Sequence, residues 1–167
     1  RVDTHRSPAR EPAMSTEQPR TEALYEISLA IRQRERLAET ARESVAAYVD
    51  HLDCSLGVVL ESTDAGYTPA GAAPERPEGR PAYEAARESL EQADSGRGSF
   101  PLSGQAGTTQ YWLFALPDFG ALLLVGDLTS ATVSALSDCN ENLAAACRAA
   151  RETEQLRGER DRLSVIF

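Results

Sequence analysis

The sequence predicts an α+β domain, in which one central antiparallel sheet of about five to six strands carries long N- and C-terminal helices on one face. Three observations carry this prediction. Residues 110–116 are apolar on both alternating faces, residues 121–125 form a continuous aliphatic run, and Pro117, Asp118, Phe119 and Gly120 join them, so they read as a hairpin covered on both sides. Long stretches at either end keep apolar residues on a 3,4 spacing, the pattern of a helical seam. Between them, short β-type runs are separated by turn-forming clusters.

Residues 1–20 contain Pro8, Pro12 and Pro19 and almost no large apolar side chains, so they cannot repay the entropy of ordering and are predicted disordered. The chain starts at Arg1 and its sole methionine is Met14, which fits either a piece of a longer chain or a natural start at Met14. Residues 21–155 form the expected domain, and residues 156–167 the start of a helical linker towards a further domain.

From Thr21 to Leu52 the residues Leu24, Ile27, Ile31, Ala38, Ala41, Val45, Tyr48 and Leu52 make one seam, with Arg34 in the slot that is not apolar. The charged block at 32–36 is the place for a kink or short break. Residues 37–52 are expected on the sheet, and residues 24–31 could extend beyond it. Ser55 to Ser62 is the first predicted strand, Thr63 to Gly66 its turn, and Tyr67 to Gly71 a weaker second strand. A Pro/Gly-rich loop follows over 71–81. A short helix is predicted over 82–93, with Tyr83, Ala86 and Leu90 on one face and Pro81 at its first turn. Gly98 to Leu102 is predicted as a third strand and Ser103 to Thr108 as a turn. The hairpin comes next, on a type I turn with Gly120 at the left-handed position. A last helix spans about 130–163 with Val133, Leu136, Asn140, Leu143, Cys147 and Ala150 on its seam. Thr153, Leu156, Arg160 and Leu163 continue that seam after a 3,3,3 run, which marks local overwinding rather than an end.

The 167 residues suit one domain with appendages. Seventeen arginines and no lysine stand against 26 acidic residues, for a formal charge of −9. That balance opposes a nucleic-acid footprint and an anionic membrane surface, both of which need clustered cations. A lysine-free, acidic chain fits either a salt-rich cytosol, where screening tolerates self-repulsion, or a codon bias that replaces Lys by Arg. No apolar run approaches the roughly 20 residues that span a bilayer, and no signal segment is present, so a cytoplasmic location is expected.

Catalytic groups are few. His5 lies in the leader, and His51 reads as a solvated helix-end histidine. The glycines of SGQAG and SGRGS do not open a helix after a strand and read as turn glycines, not a phosphate cradle. Cys54, Cys139 and Cys147 have no zinc-type spacing and read as reduced thiols. Cys139 and Cys147 stand roughly 12 Å apart along one helix and cannot bond within a chain. A thiol sensor at Cys54 would need a lowered pKa, which Asp50 and Asp53 oppose. No enzyme activity, metal or cofactor is expected. Tyr67, Tyr83, Tyr111 and Trp112 are candidates to line a small-molecule pocket under residues 66–98, against the alternative that they are plain core. Asn140 in the seam fits a register-fixing polar group of a two-stranded coil or a helix-edge residue.

The segments LYEISLAI at 24–31, ET....SV..Y...LDCSLG at 39–57, ALPDFGALLLVG at 115–126 and LSDCNENLAAACRAA at 136–150 together resemble a GAF-type sensor domain. The likeness is to divergent GAF-like modules in multidomain signalling proteins and histidine kinases of halophilic archaea, and GERDRLSVIF at 158–167 resembles a junction into a PAS domain. The resemblance implies a homodimer through the terminal helices, drawn here through Leu24, Ile27, Ile31, Leu136, Asn140, Leu143 and Cys147, and a ligand side under residues 66–98. It also implies a downstream PAS or kinase domain. The chain has no cysteine for a bilin and no histidine for haem in that segment. It also lacks the Asn/Lys/Asp set for cyclic nucleotides and a kinase-type phospho-acceptor helix. The expected function is a non-catalytic sensory and dimerisation module, with a ligand-free structural adaptor or a thiol-based redox sensor as alternatives. Whether Tyr111 or Trp112 faces the ligand side is left open by periodicity.

Overall fold

The computed structural model describes residues 21–74, 76–93 and 100–166, with backbone alone at 164–166. The leader 1–20 and residues 98–99 of the predicted third strand lie outside the described residues. In chain order the elements are α1 (Thr21–Ala30), α2 (Leu37–Leu52), β1 (Leu56–Thr63), β2 (Gly66–Ala73), α3 (Pro81–Gln92), β3 (Leu102–Ala106), β4 (Thr109–Leu116), β5 (Gly120–Val125), α4 (Ser130–Ala135) and α5 (Ser137–Ile166).

The five strands form one antiparallel sheet in the order β2-β1-β5-β4-β3. β5 is the central strand, which is why Ala121 to Val125 are all buried and apolar rather than alternating. The period of two sorts the side chains of the sheet. Leu56, Val58, Leu60, Tyr111, Leu113, Leu123 and Val125 pack under α3. Val59, Phe114, Leu116, Leu122 and Leu124 pack under α2 and α5. The result is a three-layer α/β/α domain with a core on each side of the sheet.

Small residues let α2 lie close on β1 and β2. A Cβ on Gly57 would stand 2.7 Å from Val45 Cγ2, and one on Gly71 would stand 2.7 Å from the Arg42 backbone nitrogen. The break anticipated at residues 32–36 is present, but α1 does not extend beyond the domain. It turns back and buries Ile27 against α2 and α5. The turn is held from α5: the Glu154 carboxylate accepts from the Leu37 backbone N–H, and Gln33 Nε2 donates to Thr153 Oγ1 at 3.0 Å. Glu154 thereby caps an α2 N-terminus whose own N-cap, Arg36, makes no side-chain cap bond.

Three expectations are corrected. The residues read as a turn at 103–108 are mostly strand β3, and Gly104 sits inside it because the Tyr111 ring of β4 lies where a Cβ would be. Cross-strand pairing outweighs the poor β propensity of Ser, Gly and Gln at an edge. In the hairpin, Leu116 pairs with Gly120, so the loop is Pro117, Asp118 and Phe119. Asp118, not Gly120, carries the positive φ of 58°. With Pro117 before it and Phe119 N–H donating to Leu116 O at 3.0 Å, this is a type II turn. Gly120 is required for another reason, since a Cβ there would stand 1.9 Å from Leu60 O. The last helix is interrupted at Leu136, separating α4 from α5, and Thr129 caps α4 by accepting from Thr132 N–H at 3.1 Å. α5 then runs unbroken through the 3,3,3 segment to Ile166.

Candidate functional site

Helix α3 lies directly on the sheet. Pro81 starts it, and its apolar face presents Ala82, Tyr83, Ala86 and Leu90 to Leu113 and Leu123, all buried. Tyr111 points to this side: its hydroxyl, reaching over Gly104, hydrogen-bonds Ser89 Oγ at 2.8 Å. Tyr83 OH accepts from Arg87 Nη1 at 2.9 Å, with the guanidinium over its ring. Three of the four aromatics proposed as one pocket share the α3 side of the sheet: Tyr83 and Tyr111 fill the contact between α3 and the sheet, and Tyr67 packs against the same cluster towards the β4–β5 turn, whereas Trp112 faces α2 and α5. Strand alternation forces the last separation, because Tyr111 and Trp112 are neighbours in sequence.

The seam proposed for a second chain is likewise internal. Ile27, Leu136, Leu143 and Cys147 are fully buried and Asn140 is 5% exposed within one chain, while Leu24 and Ile31 are half-buried. Their spacing reports burial, and the burying surface is the chain's own sheet and α2. Asn140 Oδ1 accepts from Tyr48 OH at 2.8 Å, which gives this seam polar group an intramolecular partner.

The thiols are buried as well. Desolvation, with Glu61 next, pushes Cys147 up to about 12, and desolvation with Asp138 raises Cys139. Neither is a thiolate at neutral pH. Cys54 is buried beside Gly126. His51 is exposed in the last turn of α2. Among the described residues no group of His, Cys, Asp and Glu could hold a metal ion, and no helix is long and apolar enough to cross a membrane.

Two clefts and one clamp are the features with chemical content. A cleft of about 360 Å³ opens at the start of α3, between Arg80, Pro81, Ser55, Ala106 and Thr109. Another, of about 320 Å³, lies on the opposite side of the sheet between β4 and the α4–α5 junction; Phe100, Phe114, Val133, Asn140 and Glu141 are among its walls. The clamp joins α5 to the β4–β5 turn. Arg151 pairs with Glu61 at 3.4 Å, donates to Asp118 O at 3.3 Å and stacks over Phe119 at 5.0 Å, and Arg148 donates to Pro117 O. Sequence reasoning missed Arg148 and Arg151, whose spacing of three on a helix face is their only signal.

This arrangement of sheet and helices superposes on a solved structure. The GAF domain of the phosphoenolpyruvate-protein phosphotransferase from Acinetobacter superposes with a TM-score of 0.52 at 13% identity, over 79% of this chain and 94% of that one. The fold is GAF-like. No protein-family model and no curated protein matches the sequence. In this GAF-like sheet Tyr83, Leu90 and Tyr111 fill the middle of the contact under α3, the Arg80 cleft opens at the start of that helix, and the Asn140 cleft opens on the side of the terminal helices.

Proposed function

We propose that this chain is a non-catalytic regulatory module of a signal-transduction protein, which relays binding of a small molecule or partner through its terminal helices. The observation that supports this reading is the clamp. Arg148 and Arg151 tie α5 to the central hairpin and to β1, and the same helix runs on past Arg157 with residues 158–163 exposed. A ligand that prefers one packing of helix on sheet would shift α5 with it. Tyr25 and Leu29 on α1 and Leu156 and Leu163 on α5 are more than half exposed, and they supply the apolar surface for pairing with a second copy in place of the buried seam. The acidic, lysine-free composition fits a salt-rich cytosol as the setting, and the resemblance of residues 158–167 to a junction into a PAS domain suggests a histidine kinase or PAS-containing protein as the larger assembly.

Sedimentation of the chain in molar salt tests the module. A concentration-dependent dimer is expected, and a strict monomer up to millimolar concentration would overturn pairing through these helices. A structural adaptor is the second reading, favoured by the closed contact between α3 and the sheet. Native mass spectrometry separates the two: a retained small molecule favours the sensor, and bare protein from several expression hosts favours the adaptor.

A further inference from the structure

The cleft between β4 and the α4–α5 junction contains a held hydrogen-bond donor. Asn140 is 5% exposed, and its Oδ1 is occupied by the Tyr48 hydroxyl at 2.8 Å. Among the described residues no group accepts from Asn140 Nδ2, and the residue lines the cleft. The buried side-chain atoms without a partner among the described residues are Ser44 Oγ and Trp112 Nε1, so Asn140 Nδ2 is not sealed in the core: it is reached from the cleft and presents its donors there. The walls around it are mainly apolar, with Phe100, Phe114 and Val133, and Ser134 and Ser137 add two hydroxyls. The sole ionisable group of the lining is Glu141, exposed at the rim, and no arginine takes part. A volume of about 320 Å³ lies at the small end of ligand pockets, which run from roughly 300 to 1,000 Å³.

We propose that this cleft is a binding site for a small uncharged molecule carrying a flat apolar ring and a carbonyl, the ring against Phe114 and the carbonyl accepting from Asn140 Nδ2. A lining without a cation gives little compensation for burying an anion, and the Glu141 carboxylate repels one. The site rests on the regulatory reading and deepens it. It lies against α5, the helix that carries the clamp, on the side of the sheet away from α3.

Trp112, the one tryptophan of the chain, stacks on Phe114 with ring centroids 6.4 Å apart and reports on the cleft wall. The test is a nuclear magnetic resonance titration of the whole chain with benzamide and, separately, with benzoate, which has the same shape and a negative charge. Benzamide is expected to shift the Asn140 side-chain amide and the Trp112 indole N–H in a saturable way, with benzoate weaker by about tenfold or more. Ser137→Phe, at an exposed position of the lining, is expected to abolish the shifts with the melting temperature unchanged. Shifts confined to α3, Tyr83 and Tyr111, equal binding of benzoate, or no shift at millimolar benzamide would each overturn the site. Such a failure alongside an intact dimer in sedimentation leaves the module reading standing, whereas a monomer that still binds benzamide overturns pairing and keeps the site.

Discussion

The Tyr48 hydroxyl and the Asn140 amide meet at 2.8 Å in the middle of the helix-side core, joining α2 to α5 where both residues are all but inaccessible. Burial raises the Tyr48 hydroxyl well above its ordinary value, so it remains a proton donor throughout the neutral range. Tyr48→Phe keeps the ring and strips the donor, leaving Oδ1 of Asn140 without its partner. The expected cost is about 1–3 kcal/mol, read as a lower urea midpoint with an unchanged m-value.

Alkaline stability follows from the buried thiol and phenol. Cys147 sits at about 12 in the fold against 9.0 for a free thiol, so only the unfolded chain releases this proton as pH rises between those values. Its contribution is complete below about pH 9 and declines by about 1.4 kcal/mol per pH unit above it. Tyr48, raised from 10.0, adds a second decline of the same sign. Urea unfolding at successive alkaline pH values is expected to show the slope, and Cys147→Ala to flatten it even if the variant is weaker at every pH.

Two glycines under α2 differ in what surrounds them. A Cβ on Gly57 meets the side-chain methyls of Val45 and Val49, which can move, whereas one on Gly71 meets the backbone of Ala41 and Arg42 at 2.7–3.0 Å. Gly71→Ala is therefore expected to destabilise by about 1–3 kcal/mol through displacement of α2, and Gly57→Ala by less. Equal losses in paired thermal melts would refute the ranking.

Much of this architecture was legible in the sequence because burial has a period. The covered hairpin, the helix under Tyr83, Ala86 and Leu90, and the break near Arg34 all follow from alternation, 3,4 spacing and a charged block. A strand before the hairpin was legible but its position was not, since Ser103, Gly104 and Gln105 have no β signal and depend on Tyr111 and its neighbours in β4. Spacing also says that a face is covered without saying by what, so the seam of Ile27, Leu136, Leu143 and Cys147 read as an interface when its partner is the chain's own sheet. The cleft at Asn140 was illegible for a third reason. Its walls come from residues 100–101, 114–117 and 133–141, which only the fold brings together.

Arg151 joins a partly exposed ion pair to a ring contact and a turn carbonyl. Each is modest alone, about 0.5–1 kcal/mol, and together they fix α5 to the hairpin. Arg151→Ala is expected to cost about 1–2 kcal/mol globally. Its larger effect is local: hydrogen exchange should quicken at residues 117–120 and along α5 beyond Ala150, with β1 and α3 unchanged. Uniform acceleration over the whole domain would show that the clamp stabilises without coupling.

Leu156 and Leu163 are seven residues apart on α5, so they share one face, and they are 60% and 57% exposed. They contribute nothing to the core of one chain, which separates their effect on assembly from any effect on folding. Leu156→Glu with Leu163→Glu is expected to convert the proposed dimer to monomer in sedimentation while the melting temperature of dilute protein stays within a few degrees. Asn140→Asp provides the contrast, since it perturbs the helix-side core and leaves that outer face untouched. If it breaks the dimer as completely as the paired Leu substitutions do, pairing depends on the packing of α2 against α5 and not on the exposed face.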